Sequence, residues 1–301
     1  MQFTFFTLVL ASLATCAPVK QLPLVRPTLS TELTKDVFVK KIHSHNDYWR
    51  EYPFLSAVTL GVQSIEADVW VFPELNDSTI YVGHNLASLT ADRTFADLYV
   101  NPILSLIEAF NPENAHTELS SSVNGVFDTD SSATLYLFVD MKTEGTETYP
   151  FVYEALEPLR EKNYLTSYNA ANNTLTKGPV TVIGTGNTPF EYVQNATTRD
   201  VFFDGVLGGL NDSFSATISP IASGSLESLV GEVDSVDGLS SNQTQLLTQA
   251  IDQAHSKGIY TRIWDTPWWP VAKQTNVWRQ ILDAGSDFLN ADDLEYATTF
   301  Q

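Results

Sequence analysis

Short runs of β-branched and aromatic residues alternate with helix-like segments along most of this chain. We interpret eight of the runs as strands, at residues 37–42, 62–69, 134–141, 180–184, 201–207, 216–219, 259–264 and 287–290. Strands that alternate with helices pair in parallel through right-handed crossovers, and eight such units close into a barrel. The alternation therefore predicts an α/β fold of the TIM-type (β/α)8 barrel class.

Helical patterns fill many of the intervals between these strands. They cover residues 54–60, 95–110, 150–162, 242–257 and 276–284. Gly258 and Gly285 follow the last two patterns and come directly before strands, where a glycine commonly ends a helix. An open doubly wound sheet is the structural alternative, but no Gly-X-Gly-X-X-Gly fingerprint follows the first strand.

The N-terminal segment has the character of a secretory signal peptide. Residues 1–16 carry no charge, include an apolar stretch and end in small residues, although a basic start is missing. We predict a signal peptide at 1–16, a Pro-rich segment at 17–31 and a single barrel domain at 32–301. No later segment approaches the roughly 20 apolar residues of a membrane helix, so we expect no membrane anchor.

The cysteine count and the net charge exclude several classes of function. Cys16 is the only cysteine and lies in the predicted signal peptide, so the mature chain would contain no disulfide, zinc–thiolate site or cysteine nucleophile. Five Asn-X-Ser/Thr sequons begin at Asn76, Asn172, Asn195, Asn211 and Asn242. They fit a secreted, N-glycosylated protein. A formal charge of −20 disfavours binding to nucleic acid and to anionic membranes. We expect a monomer.

Two carboxylates near the end of the second predicted strand give the clearest indication of function. Residues i and i+2 of a strand point to one face, so Glu66 and Asp68 share a side while the alternate residues are apolar. Neighbouring carboxylates repel each other unless one is protonated or a cation lies between them. We interpret this pair as part of a divalent metal site, which His43, His45 and His84 flank in the sequence.

Polar residues recur where the predicted strands end. Four strands end in this way, with His45, with Glu66 and Asp68, with Asp140 and Lys142, and with Trp264 and Asp265. Barrel enzymes place their active sites at the carboxyl ends of the strands. The coincidence at four strands therefore predicts one site at the mouth of the barrel.

Six motifs, spread from the first predicted strand to the last, resemble those of a known group of enzymes. They are His43-Ser44-His45-Asn46-Asp47-Tyr48, Ser64-Ile65-Glu66-Ala67-Asp68-Val69, Tyr81-Val82-Gly83-His84, Leu89-Thr90-Ala91-Asp92-Arg93-Thr94, Ile263-Trp264-Asp265-Thr266-Pro267 and Leu289-Asn290-Ala291-Asp292-Asp293-Leu294. The chain resembles the phospholipase C-like phosphodiesterases, which include glycerophosphodiester phosphodiesterases and sphingomyelinase D-type phospholipases. Within this superfamily it is most similar to the fungal altered inheritance of mitochondria protein six family. The resemblance implies a phosphoric diester hydrolase on a barrel.

The resemblance also implies a metal centre built from three carboxylates. By their places in the motifs, Glu66, Asp68 and Asp140 resemble the ligands of one divalent cation, Mg²⁺ by preference, with Ca²⁺ or Mn²⁺ as alternatives. Lys142 resembles a cation that stabilises the phosphate. A phosphodiester gains negative charge as its phosphorus becomes five-coordinate, so a metal and a lysine favour the transition state.

Two histidines would carry the proton transfers in such an enzyme. His45 resembles the nucleophile or general base, and His84 resembles the general acid that protonates the leaving oxygen. Trp264 resembles the aromatic residue that shapes the substrate pocket, with Asp265 beside it. We expect these two residues and Asn46 to line that pocket.

The residue after His45 departs from the pattern of the superfamily. Glycerophosphodiesterases carry His-Arg-Gly at the first strand, whereas His45 is followed by Asn46-Asp47, so the arginine that helps to hold the phosphate is missing. His43 would share a strand face with His45 and is a second candidate for its role. We favour His45 because it lies at the strand end.

We therefore predict a metal-dependent phosphodiester hydrolase or transphosphorylase that acts on a phospholipid or glycerophosphodiester-like substrate. One alternative is a glycoside hydrolase on the same barrel, which would use two carboxylates and leave the histidines and the lysine idle. The other alternative is a catalytically silent barrel that functions only in binding. Ordinary structural roles are also open, since Asp140 and Lys142 can form an ion pair along one strand face and residues 290–293 can cap a last helix.

Overall fold

Parallel strands form a ring with helices outside it. The computed structural model describes residues 30–115 and 122–300. The strands in these residues are β1 Lys40–Ser44, β2 Val62–Phe72, β3 Asp77–Val82, β4 Leu135–Met141, β5 Ser167–Asn169, β6 Thr174–Thr176, β7 Val180–Gly186, β8 Thr198–Arg199, β9 Val201–Phe203, β10 Gly205–Val206, β11 Ile221–Ser225, β12 Tyr260–Trp264 and β13 Phe288–Ala291. The α-helices are α1 Ser30–Thr34, α2 Pro53–Val58, α3 Asn101–Phe110, α4 Gly145–Ala155, α5 Glu157–Glu161, α6 Phe190–Asn195, α7 Leu226–Val230, α8 Ser241–Ser256, α9 Val271–Asp283 and α10 Leu294–Ala297.

The ring closes through a segment that changes partners half-way along its length. The parallel strands follow the order β1, β2, β4, β7, β9, then β10, β11, β12 and β13, and β13 pairs with β1. β9 pairs with β7, β10 pairs with β11, and only Asp204 separates β9 from β10. Residues 201–206 therefore act as one strand that joins both sides, and the predicted (β/α)8 barrel is confirmed.

The interior of the barrel is apolar at the amino ends of the strands and polar at their carboxyl ends. Alternate residues of a barrel strand face inward. The inner floor consists of Tyr136, Phe138, Ile183, Phe202, Ile221 and Phe288. Two residues further along the same strands lie Asp140, Thr185, Asp204, Ser223 and Asn290. The aromatic floor thus supports a polar layer that opens towards the carboxyl ends.

The outward faces of the strands pack beneath the helices. Ile65, Ala67 and Val69 of β2 are fully buried in the main apolar core. Phe54 of α2 and Leu106 of α3 belong to the same core. This packing confirms the predicted alternation in β2, which turns Glu66 and Asp68 to the other face.

β2 continues past the barrel and forms an antiparallel hairpin with β3. The chain then returns to the barrel mouth, where the Gly83 N–H donates to the Asp68 carbonyl at 3.1 Å. The indole N–H of Trp70 donates to the Gly83 carbonyl at 2.7 Å. The hairpin therefore places the next residue, His84, beside Asp68 of β2, with 3.9 Å between His84 Nδ1 and Asp68 Oδ2.

One of the eight predicted strands is wrong, and the others are confirmed with shifted ends. Residues 216–219 do not form the sixth barrel strand; the Ser219 N–H instead donates to the Ser215 carbonyl in a turn at 2.8 Å. The strand in that place is Ile221–Ser225, whose sequence Ile-Ala-Ser-Gly-Ser has a low β-propensity. Pairing with β10 on one side and β12 on the other forms it despite that propensity.

The helix predicted at 150–162 is also corrected. Two helices take its place, α4 Gly145–Ala155 and α5 Glu157–Glu161. The first begins at Gly145, where the Glu144 side chain accepts from the Glu147 N–H at 2.8 Å and Pro150 lies inside α4. The predicted helix 276–284 likewise begins earlier, at Val271. Helix 95–110 opens with a π-helical turn at 96–100.

The predicted signal peptide lies outside the described residues. The Pro-rich segment 17–31 does so as well, apart from residues 30 and 31, which begin α1. In the part of the chain that the structure describes, no helix is long and apolar enough to cross a membrane. The five sequon asparagines are all exposed.

Candidate active site

A cavity of about 420 Å³ opens at the carboxyl ends of the barrel strands. It is lined by His45, Asn46, Glu66, Asp68, His84, Asp140, Lys142, Thr185, Gly186, Phe203, Asp204, Gly205, Val206, Ser223, Arg262 and Trp264. Eight of the nine predicted site residues are among them, although they come from distant parts of the sequence. The structure thus brings the predicted metal ligands, histidines and lysine to one place.

Three carboxylates converge in this cavity. Glu66 and Asp68 come from β2 and Asp140 from the adjacent β4, where Asp68 and Asp140 are register partners. Each of the three can place one oxygen within 4.8 Å of the others. All the ligands on offer are carboxylate oxygens, which hard divalent cations such as Mg²⁺ and Ca²⁺ prefer. This acidic triad therefore fits one such cation.

The proton affinities of the acidic triad reflect the crowding of its charges. Burial, together with the charges of Glu66 and Asp140, raises the pKa of Asp68 to about 7. Burial also raises the pKa of Asp140, although Lys142 opposes the shift. Burial acts in the same direction on Glu66, but the charge of Arg262 beside it holds its pKa below the usual range. A bound cation would relieve the repulsion that the three groups otherwise share.

Lys142 bridges two members of the acidic triad. Its Nζ lies 2.7 Å from Asp140 Oδ2 and 3.0 Å from Asp68 Oδ2. Burial alone would lower the pKa of Lys142, but the charges of Asp140 and Asp68 outweigh it and raise the pKa. The side chain is therefore cationic at neutral pH, forms the predicted ion pair with Asp140 and also faces the cavity.

His43 in β1 and His45 directly after it have different environments. His43 is fully buried, with Nδ1 2.7 Å from Ser64 Oγ and Nε2 2.7 Å from Arg262 Nη1. Because arginine can only donate, Nε2 of His43 must accept and its Nδ1–H must donate to Ser64. Burial and the charge of Arg262 lower the pKa of His43 to about 3. Both ring nitrogens are occupied and His43 does not line the cavity, which supports the preference for His45.

His45 lies at the edge of the cavity with a carboxylate behind it. Its Nδ1 is 3.0 Å from Oδ1 of Asp292, the first residue after β13. Burial lowers the pKa of His45, but the hydrogen bond to Asp292 and the charge of Glu66 outweigh it, so the pKa is raised. Donation of the Nδ1–H to Asp292 leaves Nε2 for proton transfer, the usual division between the two nitrogens of an oriented histidine.

Asn46 ties three parts of the site together. Its backbone N–H donates to Glu66 Oε2 at 2.9 Å, and its Nδ2 donates to Asp292 Oδ1 at 3.0 Å. Its Oδ1 accepts from the Tyr48 hydroxyl at 2.6 Å. The residue has a left-handed φ of 48°, which asparagine tolerates better than most residues. At the position where glycerophosphodiesterases carry arginine, this chain therefore has a buried link between strands.

His84 is the more exposed of the two cavity histidines. Its Nδ1 lies 3.2 Å from the Tyr48 hydroxyl, which is itself 2.7 Å from Asp68 Oδ2. The ring edge contacts Trp49, with centroids 5.5 Å apart. The side chain is 53% exposed. It can therefore meet the part of a substrate that departs towards solvent.

The two residues at the end of β12 lie in different places. Trp264 lines the cavity and is 39% exposed. Asp265 has a left-handed φ of 58°, which breaks the alternation of the strand, and it lines a separate surface pocket with Trp268. The structure thus places Asp265 outside the cavity, contrary to expectation.

Sequence reasoning missed three charged residues of the site. Asp204 lies between β9 and β10 and Arg262 lies inside β12, and in both places a lone charge among apolar residues was the available signal. Asp292 was considered only as part of a helix cap. The cap of α10 is the next residue, Asp293, whose side chain accepts from the Tyr296 N–H at 2.9 Å. Asp292 is therefore free to orient His45.

Comparison with known proteins gives the family. Residues 31–204 match the family model described as the AIM6-like phosphodiesterase domain. The chain belongs to this family. The matched residues of the AIM6-like domain include the acidic triad, Lys142 and both cavity histidines, whereas Arg262, Trp264 and Asp292 lie beyond residue 204.

The chain is similar to several fungal proteins over most of its length. It is 42% identical to the altered inheritance of mitochondria protein 6 homolog of Arthroderma benhamiae, over 89% of this chain and 85% of that protein. It is 35% identical to altered inheritance of mitochondria protein 6 of Lachancea thermotolerans, over 90% of this chain and 68% of that protein. Among solved structures, a Silicibacter pomeroyi protein assigned to the glycerophosphoryl diester phosphodiesterases matches with a TM-score of 0.44 and 11% identity, over 89% of this chain and 94% of that one. The last likeness is distant.

Proposed function

We propose that this AIM6-like domain is a metal-dependent phosphodiesterase that hydrolyses or transphosphorylates a phospholipid or glycerophosphodiester-like substrate. One observation carries the proposal: the acidic triad, a lysine and two histidines surround a single cavity. A phosphodiesterase needs charge stabilisation, a base and an acid at one place, and this site supplies all three.

The positive charges of the site would bind and polarise the phosphoryl group. A divalent cation held by the acidic triad, Mg²⁺ by preference, supplies Lewis-acid charge for the phosphoryl oxygens. Lys142 adds a second positive charge at the same edge of the cavity. Both positive charges would attract the phosphoryl group more strongly as its phosphorus becomes five-coordinate and the group more negative.

The two histidines would move the protons. His45 Nε2 takes the proton of the attacking hydroxyl, whether that hydroxyl belongs to water or to the substrate, as the new P–O bond forms. Asp292, at 3.0 Å from Nδ1, stabilises the imidazolium that results. His84 gives a proton to the oxygen whose bond to phosphorus breaks. Its exposure suits a leaving group that departs into solvent.

Exposed tryptophans at the carboxyl ends of the strands favour an apolar or zwitterionic substrate. Trp264, Trp268, Trp269 and Trp49 are 39%, 77%, 67% and 61% exposed and lie in or next to loops at the carboxyl ends of the strands. Aromatic faces bind quaternary ammonium groups through cation–π contacts. The formal charge of −20 should repel polyanions at low and moderate ionic strength. Choline- or ethanolamine-bearing lysolipids are therefore the proposed substrate class.

The proposal is tested with a panel of phosphodiesters that includes lysophospholipids, sphingomyelin, glycerophosphodiesters, a phosphorylated inositide and an oligonucleotide. We expect metal-dependent turnover of a choline or ethanolamine lysolipid and loss of that turnover with chelator. Phosphorus NMR of the product distinguishes a phosphate monoester from a cyclic phosphate. Comparable rates on oligonucleotides or phosphorylated inositides would contradict the electrostatic argument. No turnover with Mg²⁺, Mn²⁺ or Ca²⁺ would contradict the function and favour a silent barrel.

Replacing Asp292 with asparagine should move the pH profile of turnover. A base acts only when unprotonated, so activity should fall as the pH drops through the pKa of His45, which lies above its usual value. Asp292→Asn removes the charge that raises this pKa, and the acidic limb of the profile should shift to lower pH while kcat falls. The neighbouring change Asp293→Asn retains a good helix cap and should shift nothing. An unmoved limb in Asp292→Asn would show that another group is the base.

We also propose that the protein is secreted and N-glycosylated, because the apolar N-terminus is combined with a cysteine-free remainder and five exposed sequon asparagines. In a eukaryotic host, intact-mass analysis should show cleavage near Cys16 and glycans on at least some sequons. When an occupied asparagine is changed to glutamine, the mass of the protein should fall by that of one glycan. Asn163→Gln, outside any sequon, should lose none. An intracellular product that retains Met1 and carries no glycan would refute this proposal.

A further inference from the structure

Among the residues that the structure describes, Arg262 is the only arginine that lines the cavity, and its guanidinium is fixed on several sides. Its Nε donates to Ser223 Oγ at 2.8 Å. Its Nη1 donates to His43 Nε2 at 2.7 Å and to Asn290 Oδ1 at 3.3 Å. The group also lies against the aromatic floor, with Cζ 4.8 Å from the centre of the Phe138 ring. Such a group needs little reorganisation when it binds a ligand.

The partners of Arg262 are themselves held in place. The Ser223 hydroxyl donates to Asp204 Oδ1 at 2.7 Å, which turns its lone pairs towards the arginine. His43 donates from Nδ1 to Ser64 and can only accept at Nε2. Asp204 is fixed in turn by the Thr185 hydroxyl at 3.0 Å. The hydrogen bonds therefore determine which edge of the guanidinium stays open.

That open edge is Nη2. In the part of the chain that the structure describes, its nearest acidic oxygen is Asp204 Oδ2 at 3.7 Å, beyond hydrogen-bond distance. A guanidinium has five N–H donors, and the two on Nη2 have no hydrogen-bond acceptor among the described residues. Because Arg262 lines the cavity, these donors are available to a ligand oxygen there.

We propose that Nη2 of Arg262 binds an oxygen of the substrate phosphoryl group. Arg262 would then take the place of the arginine that this chain lacks after His45. β12, which carries Arg262, lies diametrically opposite β4, whose end carries Lys142, in the ring of parallel strands. A phosphoryl group at the acidic triad thus has Lys142 on one wall and Arg262 on the other. Nη1 of Arg262 is 3.7 Å from Glu66 Oε1, which places the guanidinium next to that triad.

A purely structural role for Arg262 would have different consequences. Arg262 also neutralises the buried carboxylates Glu66 and Asp204, and this alone would explain a buried arginine. In that case the loss of Arg262 would weaken metal binding and destabilise the fold. It would lower phosphate affinity only as a consequence of those two effects. Direct binding of a phosphoryl oxygen would lower phosphate affinity by itself.

The test is calorimetric titration of inorganic phosphate into Mg²⁺-loaded protein, with Mg²⁺ affinity and thermal melts measured in parallel. Arg262→Lys retains the charge beside Glu66 but loses the forked donors. We expect it to bind phosphate about 10- to 100-fold more weakly, the effect of one charged hydrogen bond. Its Mg²⁺ affinity should stay within about twofold of the wild type, because the charge beside Glu66 is retained. Arg262→Gln should lose phosphate binding further, and if it does not fold, the lysine variant carries the test.

Arg199→Lys is the matched control. Arg199 is another buried arginine, which donates to the backbone carbonyls of Gln194, Ala196 and Thr217 outside the cavity. This variant should bind phosphate and Mg²⁺ as the wild type does. Wild-type phosphate affinity in folded Arg262→Lys, a parallel loss of Mg²⁺ and phosphate affinity, or no phosphate binding by the wild type would each overturn the inference.

The inference rests on the proposed function only in assuming a phosphoryl ligand, and the two can fail separately. If the wild type turns over phosphodiesters but Arg262→Lys binds phosphate normally, the inference fails and the function stands. If Arg262-dependent phosphate binding is found without turnover of any phosphodiester, the inference stands and the function fails.

Discussion

Replacing His45 or His84 with alanine is expected to lower turnover by a factor of about 100 to 10,000 in each case, the usual contribution of a proton-transfer group. The barrel should stay folded, since the two side chains are 31% and 53% exposed and neither fills the core. Steady-state kinetics on the best substrate of the panel, together with thermal melts, measure both effects.

Leaving groups of different basicity would separate the roles of the two histidines. A p-nitrophenyl phosphodiester departs without much help from an acid, whereas an alkyl phosphodiester needs a proton. His84→Ala should therefore lose far less activity on the former than on the latter. His45→Ala should lose activity on both, because the attacking hydroxyl is the same.

Two further histidines serve as controls for this experiment. His255 lies at the opposite end of the barrel, where its Nε2 is 2.8 Å from Asp287, and His255→Ala should leave turnover unchanged. His43→Ala should affect turnover less than His45→Ala but lower stability, because Arg262 Nη1 loses an acceptor in a buried site. If His43 proves indispensable and His45 does not, the assignment at β1 is wrong.

The second large effect is expected for the acidic triad. Saturation with Mg²⁺ at 100 times its dissociation constant would stabilise the wild type by about 2.7 kcal/mol. For a chain of this size that corresponds to a rise in Tm of roughly 4 to 5 °C. Asp68→Asn should abolish both this rise and turnover. Thermal melts across a titration of Mg²⁺, Mn²⁺ and Ca²⁺, with elemental analysis of the purified protein, provide the measurement.

Without metal, Asp68→Asn should not lower the stability of the fold. The pKa of Asp68 is raised in the fold, so folded protein binds more protons than unfolded protein between about pH 4 and 7. This contribution to the free energy of unfolding is lost as the pH rises through that window. Asp68→Asn removes the repelled charge, so metal-free Asp68→Asn should melt no lower than the wild type at pH 8.

Asp204→Asn is the matched control for the metal experiment. Asp204 is another buried carboxyl of the cavity, and burial raises its pKa to about 6, but it lies outside the acidic triad. Its variant should retain the rise in Tm with metal. A melt of the wild type that is indifferent to all three cations, with no bound metal found, would remove the metal centre from the proposal.

The predictions from sequence succeeded where one pattern carried the information. Strict alternation placed Glu66 and Asp68 on one face of β2, because a strand exposes alternate residues whatever surrounds it. The strand at 221–225 could not be found in this way, since its small residues form a strand only through pairing on both sides. Local patterns at the strand ends also pointed to His45, Asp140 and Lys142, which line the same cavity.

The contacts between distant residues could not be read from the sequence. His45 and Asp292 are 247 positions apart, and the pairing of Arg262 with His43 spans 219. No local pattern fixes which inward residue of one strand meets which residue of another. The neutral state of His43, which decides between His43 and His45, depends on such a contact.

The pairing of β1 with β13 also bears on the order in which the chain assembles. β1 and β13 are the first and the last strands of the ring, so the barrel cannot close until β13 has been synthesised. Until then one edge of β1 has no neighbour, and long-range pairings of this kind form slowly. Asp292 follows β13 directly, so the contact that orients His45 is made only when the last strand docks. A nascent chain would therefore hold the acidic triad before it holds a working base, and metal could bind before the chemistry is possible.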